Sequence, residues 1–464
     1  MFDLVILGSG SAAFGAALKA ADYDAKIALI EQGTIGGTCV NVGCVPSKNL
    51  LRAGDLQYYN NHIDFPGIHP GRTRAEFGRI IEQKDQIVKG LRKKKYADVL
   101  KKLPSAKLFR GRARFASAKR VKVNGINVEG RKFVIATGSS PNIIPIEGND
   151  SVDYLTNVEA LSLREKPDSM IIIGGRALGL EFAQMYAHMG TKVTLLQRSP
   201  KIIPEEEPEV SDTLRFYLEE EGINIRTGVQ VKRVYQQSDR KFVEFSVNGR
   251  KAKVGGEQLL MATGRKPNTE DLGLENVGVR LRSDGAVKVN PEMRTTAKHV
   301  WAAGDVIGEP MLETIAAKEG ATAAENAVNG SHKKIDFLSV PRAVFTSPKV
   351  ASVGLTDKEA NERGYECACR TIEMAQVPKA ITIRETRGLI KMVAENRTGR
   401  ILGVHILADN AADIIHEGVL AVKYKLTIDD IIDTVHVFPT MAESTKLVAT
   451  SFRKDIGKLS CCAE

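Results

Sequence analysis

The chain has 464 residues, 43% of them hydrophobic, and a formal net charge of +10, which allows two to four domains with ordinary packed cores. No apolar run reaches the roughly 18 residues of a membrane span, and the N-terminus lacks the features of a secretory signal, so we expect a cytoplasmic protein. The basic residues lack the interleaved aromatic residues and the binding module of a nucleic-acid partner. We therefore expect neither nucleic acid nor membrane among its partners.

The first 31 residues predict a dinucleotide-binding unit. An apolar strand at 4–7 leads into Gly8-Ser9-Gly10-Ser11-Ala12-Ala13, which fits the fingerprint G-x-G-x-x-A and opens a helix of small residues. Glycine allows the tight turn and lets backbone N–H groups approach a pyrophosphate at the helix N-terminus. The next strand ends at Glu31, where an acidic side chain normally binds a ribose hydroxyl. Strand, fingerprint, helix, strand and acid together make a stronger prediction than the fingerprint alone.

A pair of cysteines follows this unit, in the stretch 36–48. Cys39 and Cys44 have four residues between them. A disulfide across so short a loop removes little entropy from the unfolded chain, so stabilisation of the fold is a poor reason for it. In an intracellular chain, close cysteine pairs indicate redox or metal chemistry. We interpret this pair as a disulfide placed to contact a flavin.

Two further segments precede the next nucleotide unit. The stretch 76–102 predicts a long helix, and Tyr96 near its end is first interpreted as a half-buried packing residue. Short alternating strands follow, and then an apolar strand stops at Thr137 and Gly138.

A second nucleotide unit begins with the apolar strand at Met170. Gly174, Gly175 and Gly179 form its fingerprint, but Arg176 stands at the position of the second glycine, so the backbone must approach a pyrophosphate differently. The next strand ends at Arg198 without an acid. A carboxylate there binds a free 2′-hydroxyl, whereas arginine suits a 2′-phosphate, so NADPH is favoured over NADH.

The rest of the chain carries two more strand ends and two more cysteine pairs. One strand ends at Gly264 and another closes on Asp305, which we expect to bind a cofactor rather than serve only as a turn residue. From about residue 336 the hydrophobic pattern changes and predicts an α+β module. Cys367 and Cys369 lie on a predicted strand, point the same way, and are interpreted as inert thiols. Adjacent cysteines on the terminal tail, Cys461-Cys462, are not explained by packing and indicate metal capture or exchange.

Together these motifs resemble the pyridine nucleotide–disulfide oxidoreductases over essentially the whole chain, with the stretch 36–48 among the most specific. The resemblance implies an α/β fold with two Rossmann-like dinucleotide-binding domains and a C-terminal α+β dimerisation domain. The expected boundaries are an FAD-binding domain at 1–145, an NADPH-binding domain at 146–268, a central segment completing the FAD domain at 269–335, and the dimerisation domain with its Cys-Cys tail at 336–464.

The resemblance also implies FAD, NADPH and a homodimer, with site residues carried over by position. Glu31 is expected on the adenosine ribose and Asp305 on the ribityl chain, and Lys48 with Glu181 matches an ion pair close to the flavin. The expected FAD residues are Gly8, Gly10, Ser11, Ala12, Glu31, Gly37, Thr38, Lys48, Ala113, Thr137, Gly138 and Asp305. The expected NADPH residues are Gly174, Gly175, Arg176, Gly179, Glu181, Arg198 and Gly264.

Branches of this family differ near the C-terminus. Members that reduce disulfides carry His-Pro-Thr there, and the histidine serves as acid/base; here Phe438 precedes Pro439-Thr440, and phenylalanine cannot move a proton. The Cys461-Cys462 tail looks like that of the members that reduce mercuric ion, and Tyr96 matches a tyrosine that they place near the metal. Phe438 stands where that branch has a second tyrosine. Ala177 stands where the family usually has a tyrosine that gates the nicotinamide.

The sequence thus predicts an NADPH-dependent, FAD-containing oxidoreductase that reduces Hg(II) to Hg(0) in mercury detoxification. Hg(II) is expected as a thiol complex, bound first by the tail of the partner subunit and then passed to the pair next to the flavin. The expected catalytic residues are Cys39, Cys44, Tyr96, Lys48 and Glu181, and the expected mercury ligands are Cys39, Cys44, Cys461 and Cys462. The alternatives are a disulfide reductase like thioredoxin reductase or dihydrolipoamide dehydrogenase, and a non-catalytic thiol-rich metal buffer.

Overall fold

A computed structural model describes residues 1–71 and 73–458. The predicted metal-capturing residues Cys461 and Cys462 lie outside the described residues. Within those ranges, no helix has both the length and the apolar character that crossing a bilayer requires.

The first nucleotide unit is a parallel sheet extended by an antiparallel hairpin. Its strands are β1 (Phe2–Leu7), β2 (Ile27–Glu31), β3 (Ala106–Arg110), β4 (Ala113–Ser117), β5 (Arg120–Val123), β6 (Ile126–Ile135) and β7 (Ser139–Pro141). Its helices are α1 (Ser11–Ala21), α2 (Gly37–Val42), α3 (Cys44–Asn61), α4 (Phe77–Arg92) and α5 (Asp98–Lys101). β1 pairs in parallel with β2 and with the second half of β6, and β5 pairs antiparallel with the first half of β6. The apolar residues of β1 and β2 are buried beneath α1 and α9, which pack on the sheet.

The predicted helix at 76–102 is interrupted in the structure. α4 ends at Arg92, a π-helical turn spans Lys93–Ala97, and α5 completes the segment. Such a turn inserts one residue into the α-helical ladder and redirects the side chains that follow. Tyr96 lies within this turn.

The second nucleotide unit has a parallel sheet of its own and a three-stranded antiparallel sheet packed on it. Its helices are α6 (Asn157–Ala160), α7 (Ala177–His188) and α8 (Pro208–Glu220). Its strands are β8 (Ser169–Ile173), β9 (Lys192–Leu196), β10 (Asn224–Arg226), β11 (Val229–Gln237), β12 (Arg240–Val247), β13 (Arg250–Gly256), β14 (Gln258–Met261) and β15 (Arg265–Pro267). The parallel order is β10-β9-β8-β14, and β15 pairs with β7 so that the two units share a short ribbon.

The central segment returns to the first unit. β16 (Val300–Ala302) pairs in parallel with β6, and α9 (Glu313–Asn329) crosses α1. A side chain at Gly320 would place its Cβ only 1.9 Å from the Ala12 carbonyl oxygen, so the two helix backbones are in direct contact. This contact holds the Gly304-Asp305 turn beside the first fingerprint.

The C-terminal module is a five-stranded antiparallel sheet covered by helices. Its strands are β17 (Arg342–Val344), β18 (Lys349–Gly354), β19 (Cys367–Glu373), β20 (Leu389–Glu395) and β21 (Ile401–Ala408). Its helices are α10 (Asp357–Glu362), α11 (Pro378–Ile383), α12 (Ala411–Tyr424), α13 (Ile428–Asp433) and α14 (Glu443–Thr450). The sheet order is β17-β18-β21-β20-β19. The expected fold class, two Rossmann-like units and a C-terminal α+β module, is confirmed.

Candidate active site

A cavity of about 170 Å³ opens at the carboxyl ends of β1 and β2. Gly8, Glu31, Ala113 and Thr137, all predicted FAD residues, line it. This is where an open parallel sheet binds ligands, at the carboxyl ends of its strands. The Glu31 carboxylate is held in place by the Gly33 backbone N–H, which donates to it at 2.6 Å.

The turn between β1 and α1 fits a pyrophosphate. Gly8 has a φ of +125°, and a Cβ there would lie 2.1 Å from the Ala136 carbonyl oxygen, so only glycine is accommodated. No side chain caps the N-terminus of α1, which begins after Gly10, so the N–H groups of its first turn are available to an anion. The cavity and this uncapped turn together match the adenosine and pyrophosphate parts of FAD.

The other side of the cofactor region is built around Asp305. Ser139 donates a hydrogen bond to the Asp305 carboxylate, and the Arg265 guanidinium Nε lies 3.8 Å from it. Thr137, before the turn at Gly138, donates its hydroxyl proton to the Asn268 carbonyl oxygen at 2.7 Å. Burial raises the pKa of the neighbouring Glu319 to about 7, although its carboxylate accepts the Gly304 N–H.

Cys39 and Cys44 are brought together by a tight turn between two helices. Cys39 lies in α2 and is half-buried, whereas Cys44 is the first residue of α3 and is exposed. Gly37 starts α2, and a Cβ on it would lie 2.6 Å from the Gly10 Cα. The dithiol loop, which includes Thr38, is thereby packed directly on the first fingerprint. Both thiols are free, and they hydrogen-bond each other.

The two thiols differ in acidity. The hydrogen bond from Cys39 lowers the pKa of the Cys44 thiol, burial opposes this, and the Lys48 cation lowers it further. The same hydrogen bond, followed by burial, raises the pKa of Cys39. The N-terminus of α3 also favours a thiolate at Cys44. Cys44 is therefore the thiol that ionises first, and Cys39 retains the shared proton.

Lys48 and Glu181 meet as the resemblance implied. The Lys48 ammonium lies 2.7 Å from the Glu181 carboxylate, although 133 residues separate them. Glu181 is buried in α7, and its other oxygen accepts the Phe345 backbone N–H at 3.0 Å. The Phe345 ring lies 4.4 Å from the Lys48 ammonium. This pair joins the helix that carries Cys44 to the second nucleotide unit.

Tyr96 reaches the dithiol loop, and an unpredicted acid lies beside it. The Tyr96 ring contacts Phe14 edge-on at 4.9 Å between centroids and packs against Gly36. Burial raises the pKa of Tyr96, a hydrogen bond with Ser11 opposes this, and the charges of Glu313 and both thiols add to it. Glu313 accepts the Ser11 hydroxyl proton at 3.1 Å.

Glu313, Arg265 and Glu319 were missed by sequence analysis. Glu313 starts α9, and its charge acts on both thiols; Arg265 lies on β15, and the charge of Cys44 acts on it. Each reaches the site from a segment far from the cysteines in sequence. No local motif marks any of the three, so only the tertiary structure shows them.

The second fingerprint fits a dinucleotide despite Arg176. Gly174 has a φ of +118°, and a Cβ on Gly179 would lie 1.9 Å from the Gly174 carbonyl oxygen, so strand and helix pack closely. Gly175 donates its N–H to the Gln197 side chain at 2.9 Å. The Arg176 guanidinium turns away to Glu205 and Glu309, at 3.7 and 3.6 Å.

Arg198 follows β9 and is exposed. Within residues 1–71 and 73–458 it forms no ion pair, so its charge is available to an anion. Gly264, in the turn between β14 and β15, has a φ of +103°, at which a side chain would be strained. Phe438 is also exposed, at 48%.

A larger cavity of about 880 Å³ lies between β10 and the antiparallel sheet of this unit, and it contains none of the predicted site residues.

The cavity, the dithiol and the two glycine turns of the nucleotide units together define a flavin-dependent dithiol oxidoreductase. Comparison with known proteins agrees with this class. Residues 2–320 match the model of the pyridine nucleotide-disulphide oxidoreductase family, and residues 340–449 match the dimerisation domain of the same family. The chain belongs to this family, which implies FAD and NADH or NADPH as cofactors.

Individual relatives include mercuric reductases and a flavoprotein disulfide reductase. The chain is 43% identical to a mercuric reductase of Lysinibacillus sphaericus, over 100% of this chain and 84% of that protein. It is 40% identical to a mercuric reductase of Streptomyces lividans, over 100% and 98%. Among solved structures, it is similar to the Cu(II) complex of the HOCl-induced flavoprotein disulfide reductase RclA from Escherichia coli, with 29% identity, a TM-score of 0.87, and coverage of 98% and 99%.

Replacing Lys48 should change the acidity of Cys44. In Lys48→Met, we expect the pKa of Cys44 to rise by about one unit, because the nearest cation is removed. The measurement is the pH dependence of Cys44 alkylation by iodoacetamide in the reduced holoenzyme, read by peptide mass spectrometry. Lys48→Arg keeps the charge and should alkylate like the unaltered protein. An unchanged midpoint in Lys48→Met would show that Lys48 does not tune this thiol.

Proposed function

We propose that this protein is an NADPH-dependent flavoenzyme that reduces thiol-bound Hg(II) to Hg(0) at Cys39 and Cys44. The observation that carries the proposal is the hydrogen-bonded pair of unequal thiols beside the flavin cavity. Full-length similarity to mercuric reductases supports Hg(II) as the substrate. The dimerisation domain at 340–449 supports a homodimer.

The cofactor residues have distinct tasks in this proposal. Glu31 and the first fingerprint would hold the adenosine side of FAD, and Asp305 with Arg265 would face its ribityl side. FAD, when bound, would carry two electrons from NADPH to the Cys39–Cys44 disulfide and, once the two thiolates hold the metal, two more to Hg(II). Arg198 binds the 2′-phosphate of NADPH, since it is an exposed cation without a partner in the described part of the chain.

The thiol pair binds the metal in two steps. The Cys44 thiolate, stabilised by Lys48 and the N-terminus of α3, attacks Hg(II) first and displaces one thiol of the incoming complex. Cys39 then gives up its proton and displaces the second, so the ion is never free. Two electrons reduce the bound Hg(II) to Hg(0), and both sulfurs are returned as thiolates. Tyr96, packed on the loop, limits the space around the metal.

Phe438 favours a metal over a disulfide as substrate. A disulfide substrate yields two thiols, and each leaving sulfur needs a proton. The neighbouring His436 hydrogen-bonds Glu417 at 2.8 Å and stands two residues before the position of the missing acid/base. Reduction of Hg(II) between two thiolates requires no proton donor at this position. The second candidate is a flavoprotein disulfide reductase, which the similarity to RclA supports.

The deciding experiment measures NADPH oxidation by the FAD-loaded protein with HgCl₂ and excess thiol, together with release of mercury vapour. We expect one Hg(0) for each NADPH oxidised, because both steps move two electrons. Rapid reduction of thioredoxin or lipoamide, without mercury vapour, would select the disulfide-reductase candidate instead.

Cofactor choice can be tested at Arg198. In Arg198→Ala, we expect kcat/KM for NADPH to fall by about tenfold or more, while the value for NADH stays unchanged, because only NADPH carries the 2′-phosphate. The control is Lys192→Ala, at the opposite end of β9, which should leave both values unchanged. An equal fall in kcat/KM for NADPH and NADH would mean that Arg198 does not bind the 2′-phosphate.

The tail cysteines can be tested in the same assay. We expect the double variant Cys461→Ala with Cys462→Ala to bind FAD and to reduce its Cys39–Cys44 disulfide with NADPH at the normal rate. Turnover with thiol-complexed Hg(II) should be lost, because the delivering thiol pair of the partner subunit is absent. Ser460→Ala, which leaves both tail thiols, is the matched control. Normal turnover in the double variant would rule out delivery by the tail.

A further inference from the structure

A second thiol pair lies on the C-terminal module, at the edge of its sheet. β19 is the outermost strand and pairs with β20, with Cys367 opposite Glu395 and Cys369 opposite Val393. Residues two apart on a strand point to the same face, about 6.6 Å from each other. Both thiols are free and half-buried, and both pack against the small apolar cluster under α10.

Both thiols converge on a single carboxylate. The Cys367 thiol donates to Asp357 Oδ1 at 3.3 Å, and Cys369 also hydrogen-bonds this side chain. Asp357 is the first residue of α10, and it is fixed there by the capping box of Thr356 and Glu359. Lys391 and Glu207 are the further charges that act on this cluster.

This environment keeps the thiols protonated and unpaired. Burial, and then the Asp357 carboxylate, raise the pKa of Cys367, and they raise that of Cys369 to about 12. A protonated thiol is a poor nucleophile and oxidises slowly. A disulfide needs Cβ atoms about 3.8 Å apart, which two neighbours on one face of a strand cannot reach without moving the backbone.

A linear thiolate–metal–thiolate unit fits the same spacing far better. With a metal–sulfur bond of about 2.3 Å, the two sulfurs lie about 4.6 Å apart, and rotation of two cysteine side chains covers the difference from the strand spacing. Among the described residues, no group of three or more His, Cys, Asp or Glu side chains is arranged to hold a metal ion, and a two-coordinate cation needs only the two thiolates. Soft cations accept two thiolates.

We propose that Cys367 and Cys369 form a second binding site for a two-coordinate soft cation of the Hg(II) class. Binding exchanges two S–H bonds for two S–metal bonds and releases two protons to solvent. Asp357 holds the thiols in their protonated form until a soft cation displaces the protons. The proposal concerns binding alone, so its outcome is independent of whether the protein reduces mercury.

The first test uses the unaltered, full-length holoenzyme without NADPH, its Cys39–Cys44 pair oxidised. HgCl₂ is added with a competing monothiol, the free cysteines are alkylated with N-ethylmaleimide, and peptides are analysed by mass spectrometry. We expect Hg(II) to protect Cys367 and Cys369 together at the same concentration. Alkylation of both residues at an unchanged rate would overturn the proposal.

The variants test the two thiolates and the carboxylate separately. Cys367→Ser and Cys369→Ser should each lose one Hg(II) per chain in native mass spectra, whereas Thr371→Ala on the same strand should lose none. Asp357→Asn should make both thiols alkylate about tenfold faster at pH 8, the change expected for one pKa unit, and should move Hg(II) uptake to lower pH. FAD absorbance and the melting temperature confirm folding. An equal mercury count in the serine variants, or an unchanged pH profile in Asp357→Asn, contradicts the assigned roles.

Discussion

The site depends on backbone contacts that only glycine permits. Gly37 lies against Gly10, so the loop carrying Cys39 and Cys44 rests on the turn of the first fingerprint. Gly320 lies against Ala12, so α9 crosses α1 closely and brings Asp305 to the same region. A methyl group at either glycine would overlap backbone atoms, which cannot rotate away. Three distant segments therefore meet around one cavity.

Charge is distributed unevenly around the dithiol. Lys48 favours an anion at Cys44, whereas Glu313 raises the pKa of both thiols. Glu181 keeps Lys48 in position, and its own burial is tolerated because the ammonium and the Phe345 N–H satisfy both oxygens. One thiolate is thus stabilised while its partner stays protonated. That state suits a sequential exchange of metal between thiol pairs.

The sequence predicted the elements of the fold well and the site in part. The β1–α1–β2 unit, the second unit from Met170 and the change of texture near 336 follow from apolar periodicity, glycine turns and caps, which are local signals. Lys48 and Glu181 needed the family resemblance, since nothing local joins residues so far apart. Glu313, Arg265 and Glu319 carry no motif, and their positions depend on how helices and strands cross. The π-helical turn at Tyr96 was missed because its one-residue insertion leaves the helical pattern on either side intact.

The two cysteine pairs in the described part of the chain differ in acidity because their surroundings differ. Cys44 starts a helix beside a cation, and its hydrogen-bond partner is another thiol, so one sulfur ionises readily and exchanges quickly. Cys367 and Cys369 lie on an edge strand and share an aspartate, so both resist ionisation and neither reaches the other to form a disulfide. The spacing of the cysteines in the sequence distinguishes the redox loop at Cys39 and Cys44 from the pair on β19. The charged neighbours, Lys48 in the first pair and Asp357 in the second, determine which thiols are poised to react. The first pair suits turnover, and the second suits slow retention of a cation that binds sulfur tightly.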